Sequence, residues 1–133
     1  MENSVEVLSK YRYETAIEAL EDARLMFQNE RYKNSLNRAY YAVFHAIRSV
    51  NALDRFDSSK HSGVIAYFNQ NYVKSGVFSR EMSRIIKEAY ESREKADYLD
   101  FYVASRNEAE KQIERAEQFL EVIRIYLDDR NIL

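Results

Sequence analysis

An all-α, antiparallel bundle of four or five helices is the fold that this 133-residue chain predicts, on three observations. Proline is absent and glycine occurs only as Gly63 and Gly76, so long helices go uninterrupted and residues favoured in β-turns are scarce. Apolar side chains recur at spacings of three and four over most of the length. The connections between these stretches are short, which favours antiparallel neighbours. The length suits one hydrophobic core, so residues 1–133 are read as a single domain.

The first helix is expected near residues 5–29, where Tyr13, Ile17, Leu20 and Phe27 share a face with Glu18, Glu21, Asp22 and Arg24 interspersed. The polar Asn29-Glu30-Arg31 ends it. The second, near 32–53, is apolar around most of its circumference through Leu36, Ala39, Tyr40, Tyr41, Ala42, Val43, Phe44, Ala46, Ile47 and Val50. Such a helix belongs at the centre of a bundle. Asp, Ser and Lys between Asp54 and Lys60 mark a loop, and a short third helix near 60–70 carries Val64, Ile65, Tyr67 and Phe68. Gly76 lies in the next connection. Ser79 is placed to cap a fourth helix near 79–95 bearing Met82, Ile85, Ile86, Ala89 and Tyr90. Ala96 to Tyr102 fits no element. The fifth helix, near 106–128, opens with the capping-box sequence Ser105-Arg106-Asn107-Glu108, in which the hydroxyl and the carboxylate can each satisfy a free amide. Beyond it, Ala109, Ile113, Ala116, Leu120, Ile123 and Leu127 form a narrow apolar seam.

Composition excludes several classes of function. With 46% hydrophobic and 32% charged residues the chain is too apolar for intrinsic disorder and too charged for a membrane protein. Its longest apolar run, Ala39 to Phe44, is far below the roughly 18 residues of a membrane span. The first residues lack a basic region followed by an apolar one, so neither secretion nor anchoring is expected. The absence of cysteine excludes disulfide scaffolds, cysteine-based metal sites and thiol nucleophiles, and fits a cytoplasmic location. Two histidines leave little for metal chemistry, and no cofactor is expected. Lys plus Arg number 20 against 22 Asp plus Glu, so any nucleic-acid binding must use a local basic patch rather than a whole-protein field.

One stripe stands out. Arg38, Tyr41, His45 and Arg48 are three, four and three residues apart, which aligns them on one face of the most apolar helix. Burying a guanidinium and an imidazole is costly unless they are paired, so the stripe should face a partner acid, an intersubunit groove or a ligand. The ordinary alternative pairs Arg38 with a carboxylate and hydrogen-bonds His45 inside the bundle. His61, beside Ser62 at the start of the third helix, is a second anion-binding candidate, with capping or packing as its alternative. Arg93 and Asp97 are four apart and should pair, while Asp97, Tyr98 and Asp100 fit a role in the turn that follows. Tyr40, Tyr41 and Phe44 fit the core better than a base-stacking surface.

The run Asn37-Arg38-Ala39-Tyr40-Tyr41-Ala42-Val43-Phe44-His45-Ala46, then Lys60-His61-Ser62-Gly63-Val64, then Arg93-Glu94-Lys95-Ala96-Asp97-Tyr98 resembles the HEPN domain (higher eukaryotes and prokaryotes nucleotide-binding) in its small stand-alone prokaryotic form. The resemblance extends over nearly the whole chain. It implies a bundle of four or five helices, a homodimer, and a gene beside a minimal nucleotidyltransferase in a toxin–antitoxin or defence pair. Many members are metal-independent ribonucleases that use an arginine followed by a histidine, and six residues separate Arg38 from His45, which fits their spacing. Ile47 stands where the toxin group's His-x-Tyr element would place tyrosine. The catalytic candidates are therefore Arg38 and His45, the substrate-binding candidates Tyr41, Arg48 and His61, and the expected ligand RNA or a nucleotide. The competing expectation is a non-catalytic nucleotide-binding or protein-interaction module that keeps the bundle alone.

Overall fold

Small side chains decide which helices approach most closely. A computed structural model describes residues 4–133, and in it α1 (Ser4–Gln28) and α2 (Tyr32–Asn51) share the most extensive helix–helix interface. Ala16, Ala19 and Ala23 of α1 and Ala39, Ala42 and Ala46 of α2 are all essentially inaccessible. Two serines fasten the ends of this pair: Ser9 Oγ donates to the Ser49 carbonyl at 2.7 Å and Ser35 Oγ to the Ala23 carbonyl at 2.9 Å. Early residues of α1 thus meet late residues of α2, so the two run antiparallel. The buried face of α1 is built from Ser9, Tyr13, Ala16, Ala19, Leu20 and Ala23. Ile17, expected on that face, remains 37% exposed, because Ala16, Ala19 and Ala23 hold the contact line with Tyr13 and Leu20 and leave it to one side.

A 3₁₀ turn, Ala52–Asp54, continues α2, and α3 (His61–Phe68) passes into a π turn, Asn69–Val73. Then come α4 (Arg80–Tyr98) and α5 (Arg106–Asp129), and no strand occurs among the described residues. The all-α bundle is as expected, with α2 in its middle, touching α1, α3, α4 and α5. Every seam residue of α5 is buried, and Tyr13 donates its hydroxyl to the Leu120 carbonyl at 3.2 Å, joining α1 to α5. Phe68, Tyr72, Phe78 and Phe119 fill the space below α2 as a cluster of contacting rings.

Local chemistry at the helix ends differs from the sequence pattern in two places. Ser105 Oγ accepts from the Glu108 amide at 3.0 Å, but the Glu108 carboxylate accepts from the Tyr102 hydroxyl instead of closing the reciprocal half of the box. Ser79 occupies the N-cap of α4 in extended conformation, yet its hydroxyl makes no capping bond. The unassigned stretch splits: α4 continues through Tyr98, and a turn follows with Phe101 at φ 61° and its side chain fully exposed. Between α2 and α3 the loop lies tightly on the start of α3. A Cβ on Gly63 would sit 2.7 Å from Ser58 Oγ, so glycine permits this close approach.

Because Phe119 is fully buried and joins α5 to the aromatic cluster, Phe119→Ala is expected to cost about 3–5 kcal/mol of stability. Urea unfolding followed by circular dichroism measures it, and a loss under 1 kcal/mol would contradict this placement.

Candidate functional site

The helical spacing of the stripe brings its members to one half-buried face of α2, and Tyr41 is the hub of what gathers there. The Arg38 guanidinium lies 5.2 Å from the centre of the Tyr41 ring. The His45 ring is 6.0 Å away and the His61 ring, arriving from α3, 5.8 Å. From α4, Arg93 donates to the Tyr41 hydroxyl at 3.2 Å, which leaves that hydroxyl's own proton for another acceptor. Arg93 is itself held on several sides: Nε meets Asp97 at 2.9 Å, Nη1 meets Glu94 at 3.3 Å, and Nη2 also reaches the Tyr98 hydroxyl at 3.3 Å. Asn37 Nδ2 donates to the same Asp97 oxygen at 2.9 Å. The expected Arg93–Asp97 pair is present, and it works as a clasp that fixes Tyr41 between α2 and α4.

Among the described residues the ordinary partners of a buried arginine and histidine are not there for Arg38 and His45. Arg38 makes no ion pair among the described residues; its single hydrogen bond goes to its neighbour Asn37 at 3.5 Å, and its Nε is buried without a partner. His45 has a buried Nδ1 with no hydrogen-bond partner. Burial, followed by the positive charges of Arg48, Arg38 and Arg12 and by His61, lowers the His45 pKa to about 4. The imidazole is thus neutral at pH 7, a proton acceptor surrounded by guanidiniums that favour an anion.

His61 is more than the start of α3. It stacks on Phe44 with ring centres 4.1 Å apart, and its Nδ1 lies 2.9 Å from the Tyr40 hydroxyl. Burial raises the Tyr40 pKa and keeps that phenol protonated. Burial and then Arg93 and Arg48 lower the His61 pKa, so it too favours the neutral form. The structure therefore joins His61 to Tyr41 and His45 while also giving it a packing role. Arg48 is reached by Asp57 at 3.3 Å, and the same carboxylate binds Arg12 of α1 at 3.1 Å. Arg12 was not signalled by the sequence, since it lies on another helix with no motif around it. Ile47 is 1% exposed and belongs wholly to the core, on the side of α2 away from the stripe. Among the described residues no group of three or more His, Cys, Asp or Glu side chains is placed to hold a metal ion. No helix there is long and apolar enough to cross a membrane.

Comparison with known proteins gives this arrangement a context. The sequence profile of the HEPN domain matches residues 9–126. A UPF0332 protein of Thermotoga maritima is 33% identical over 127 residues, 96% of this chain and 96% of the relative. Two proteins of Methanocaldococcus jannaschii are also similar. "Putative toxin MJ0605" is 36% identical over 84% of this chain and 82% of its own length, and "Putative toxin MJ0142" 30% identical over 90% and 82%.

The electrostatics give a direct expectation. The His45 ring resonances should titrate with a midpoint near 4 in NMR spectra, and Arg48→Gln should raise that midpoint. In the unfolded chain the imidazole binds its proton near its ordinary value of 6.5, so the unfolded state takes up more protons between these values. Stability should accordingly fall as pH drops from about 6.5 towards 4. His61 acts in the same direction, so His45→Gln should remove only part of that slope. A His45 midpoint at or above 6.5 would contradict the arrangement.

Proposed function

The chain belongs to the HEPN domain family, and from that premise we propose that it is a metal-independent endoribonuclease acting as the toxin of a toxin–antitoxin or defence pair, with a minimal nucleotidyltransferase as its partner. The toxin reading takes its support from the names of the two Methanocaldococcus jannaschii relatives. The ribonuclease reading rests above all on one observation: Arg38 and His45 flank Tyr41 on a half-buried face, and neither is neutralised by a carboxylate or tied up by the bundle.

In this reading RNA lies across the face with a phosphate among the guanidiniums. Neutral His45 takes the proton of a 2′-hydroxyl, and the 2′ oxygen attacks the adjacent phosphorus. The bond to the 5′ oxygen breaks, leaving a 2′,3′-cyclic phosphate. Arg38 stabilises the charge that builds on the phosphoryl oxygens, Arg48 and Tyr41 hold the phosphate and sugar, and His61 contributes to binding. A histidine of a second protomer, protonated once the bound phosphate offsets the neighbouring guanidiniums, gives its proton to the leaving 5′ oxygen, so the active species in this reading is a homodimer working in the cytoplasm. The apolar surface for self-association is available in Leu8 and Tyr11 of α1 and in Tyr98, Leu99, Phe101 and Val103 at the α4–α5 turn, all exposed.

Cleavage should persist in a chelator, spare DNA for want of a 2′-hydroxyl, and leave a cyclic phosphate identifiable by mass spectrometry. His45→Ala should lower the rate by about 10² to 10⁴ while circular dichroism shows the helices intact. A parent that binds RNA or nucleotides without cutting them would make the protein a binding module instead. Multi-angle light scattering at micromolar concentration should report about twice the 15.8 kDa chain mass, and a monomer alone would overturn the dimer.

A further inference from the structure

Asp57 stands in a cradle built for an anion. Its Oδ2 is 3.1 Å from Arg12 Nη2 and 3.3 Å from Arg48 Nη2, and its Oδ1 accepts from the Ser58 main-chain amide at 2.8 Å. The Arg12 guanidinium is oriented independently of the carboxylate, because Nη1 donates to the Arg48 carbonyl at 3.3 Å. That arginine side chain is only 11% exposed, whereas the carboxylate it holds is 50% exposed and sits in the 55–60 loop. A cleft of about 390 Å³ opens beside the pair, with Arg12, Arg55 and Asp57 on its polar side and Leu8 and Phe56 among its walls. Two buried or half-buried cations from different helices thus converge on one solvent-facing oxygen, with room next to it. Burial and the charge of Arg48 both oppose the Arg12 charge, so the pair is held together against its own repulsion.

We propose that Arg12, Arg48 and the Ser58 amide form a second phosphate subsite, which takes the phosphodiester of single-stranded RNA next to the one at His45, and that the Asp57 carboxylate fills this subsite until RNA displaces it. The identity of the ligand rests on the RNA reading given above; the subsite does not require that the RNA be cut. Arg48 lies one helical turn from His45, and both Arg48 and Arg12 act on the His45 charge, so the two positions adjoin. A guanidinium fork binds phosphate oxygens as readily as carboxylate oxygens. Once a strand is anchored at Arg38 and His45, its neighbouring phosphate competes with Asp57 at a high effective concentration. Asp57 thereby sets how tightly the site closes on RNA.

The test uses a 2′-O-methyl RNA oligonucleotide, which binds but cannot be cut, with Kd read by fluorescence anisotropy at fixed salt. Asp57→Asn should bind it roughly two- to fivefold more tightly, the range that an exposed ion pair is worth when converted to affinity. The gain should vanish when Arg12→Gln and Arg48→Gln are also present, whereas a general loss of negative charge would give the same gain in that background. Arg12→Gln alone should weaken binding several-fold more than Arg124→Gln, an equal charge change on exposed α5, and this arm holds even if Asp57→Asn unfolds. A folded Asp57→Asn that binds no tighter, or a gain undiminished without the two arginines, overturns the subsite while RNA binding by the parent stands. Binding by neither the parent nor any variant overturns the RNA reading and the subsite together.

Discussion

The close approach of α1 and α2 is the constraint on which the rest of the molecule depends. Alanines on both helices let the backbones come together, and the two serine hydroxyls buried there are satisfied by facing carbonyls. That leaves α2 with apolar residues on its remaining sides, which must be covered by α3, α4 and α5 for the helix to be stable in water. Beyond its first turn, α2 is buried except at Asn37 and along the line of Arg38, Tyr41, His45 and Arg48. The candidate site is therefore a strip that packing leaves half open on the helix at the centre of the bundle.

The strip is also organised from outside α2. Arg93 is bound by two carboxylates and two phenols, and through it α4 fixes the Tyr41 ring against which Arg38, His45 and His61 are placed. Asp97 and Glu94 are occupied by this clasp, and Asp57 is occupied by Arg12 and Arg48. Among the described residues these acids leave no ion-pair partner for Arg38. A protein with an almost balanced total charge, 20 basic against 22 acidic residues, thus keeps a local excess of positive charge by where it spends its carboxylates.

Much of the fold was legible from periodicity, for a physical reason: with no proline and two glycines, the apolar spacing runs unbroken along the helices, and the α5 seam from Ala109 to Leu127 is buried throughout as its spacing implied. What could not be read was the contact line of α1, where alanines rather than Ile17 face inward, because hydrophobicity patterns weight large residues over small ones. Glu108 illustrates the same limit, since the tyrosine that takes its carboxylate was not part of the local capping motif. The stripe on α2 was visible because its residues share one helix. Arg12, Asp57 and the Tyr40–His61 contact were not, since they join separate elements and only the tertiary fold brings them together.

The same cations that hold His45 neutral also make its basicity depend on what occupies the site. An imidazole with a pKa near 4 is a weak proton acceptor, and its weakness comes partly from burial and partly from Arg48, Arg38 and Arg12. An anion bound among those guanidiniums would cancel part of their field and so raise the proton affinity of His45. Asp57 supplies only a partial version of this effect, since its carboxylate engages Arg12 and Arg48 and does not reach Arg38. Such a coupling of anion binding to proton affinity would follow from gathering guanidiniums around an imidazole whose Nδ1 has no partner.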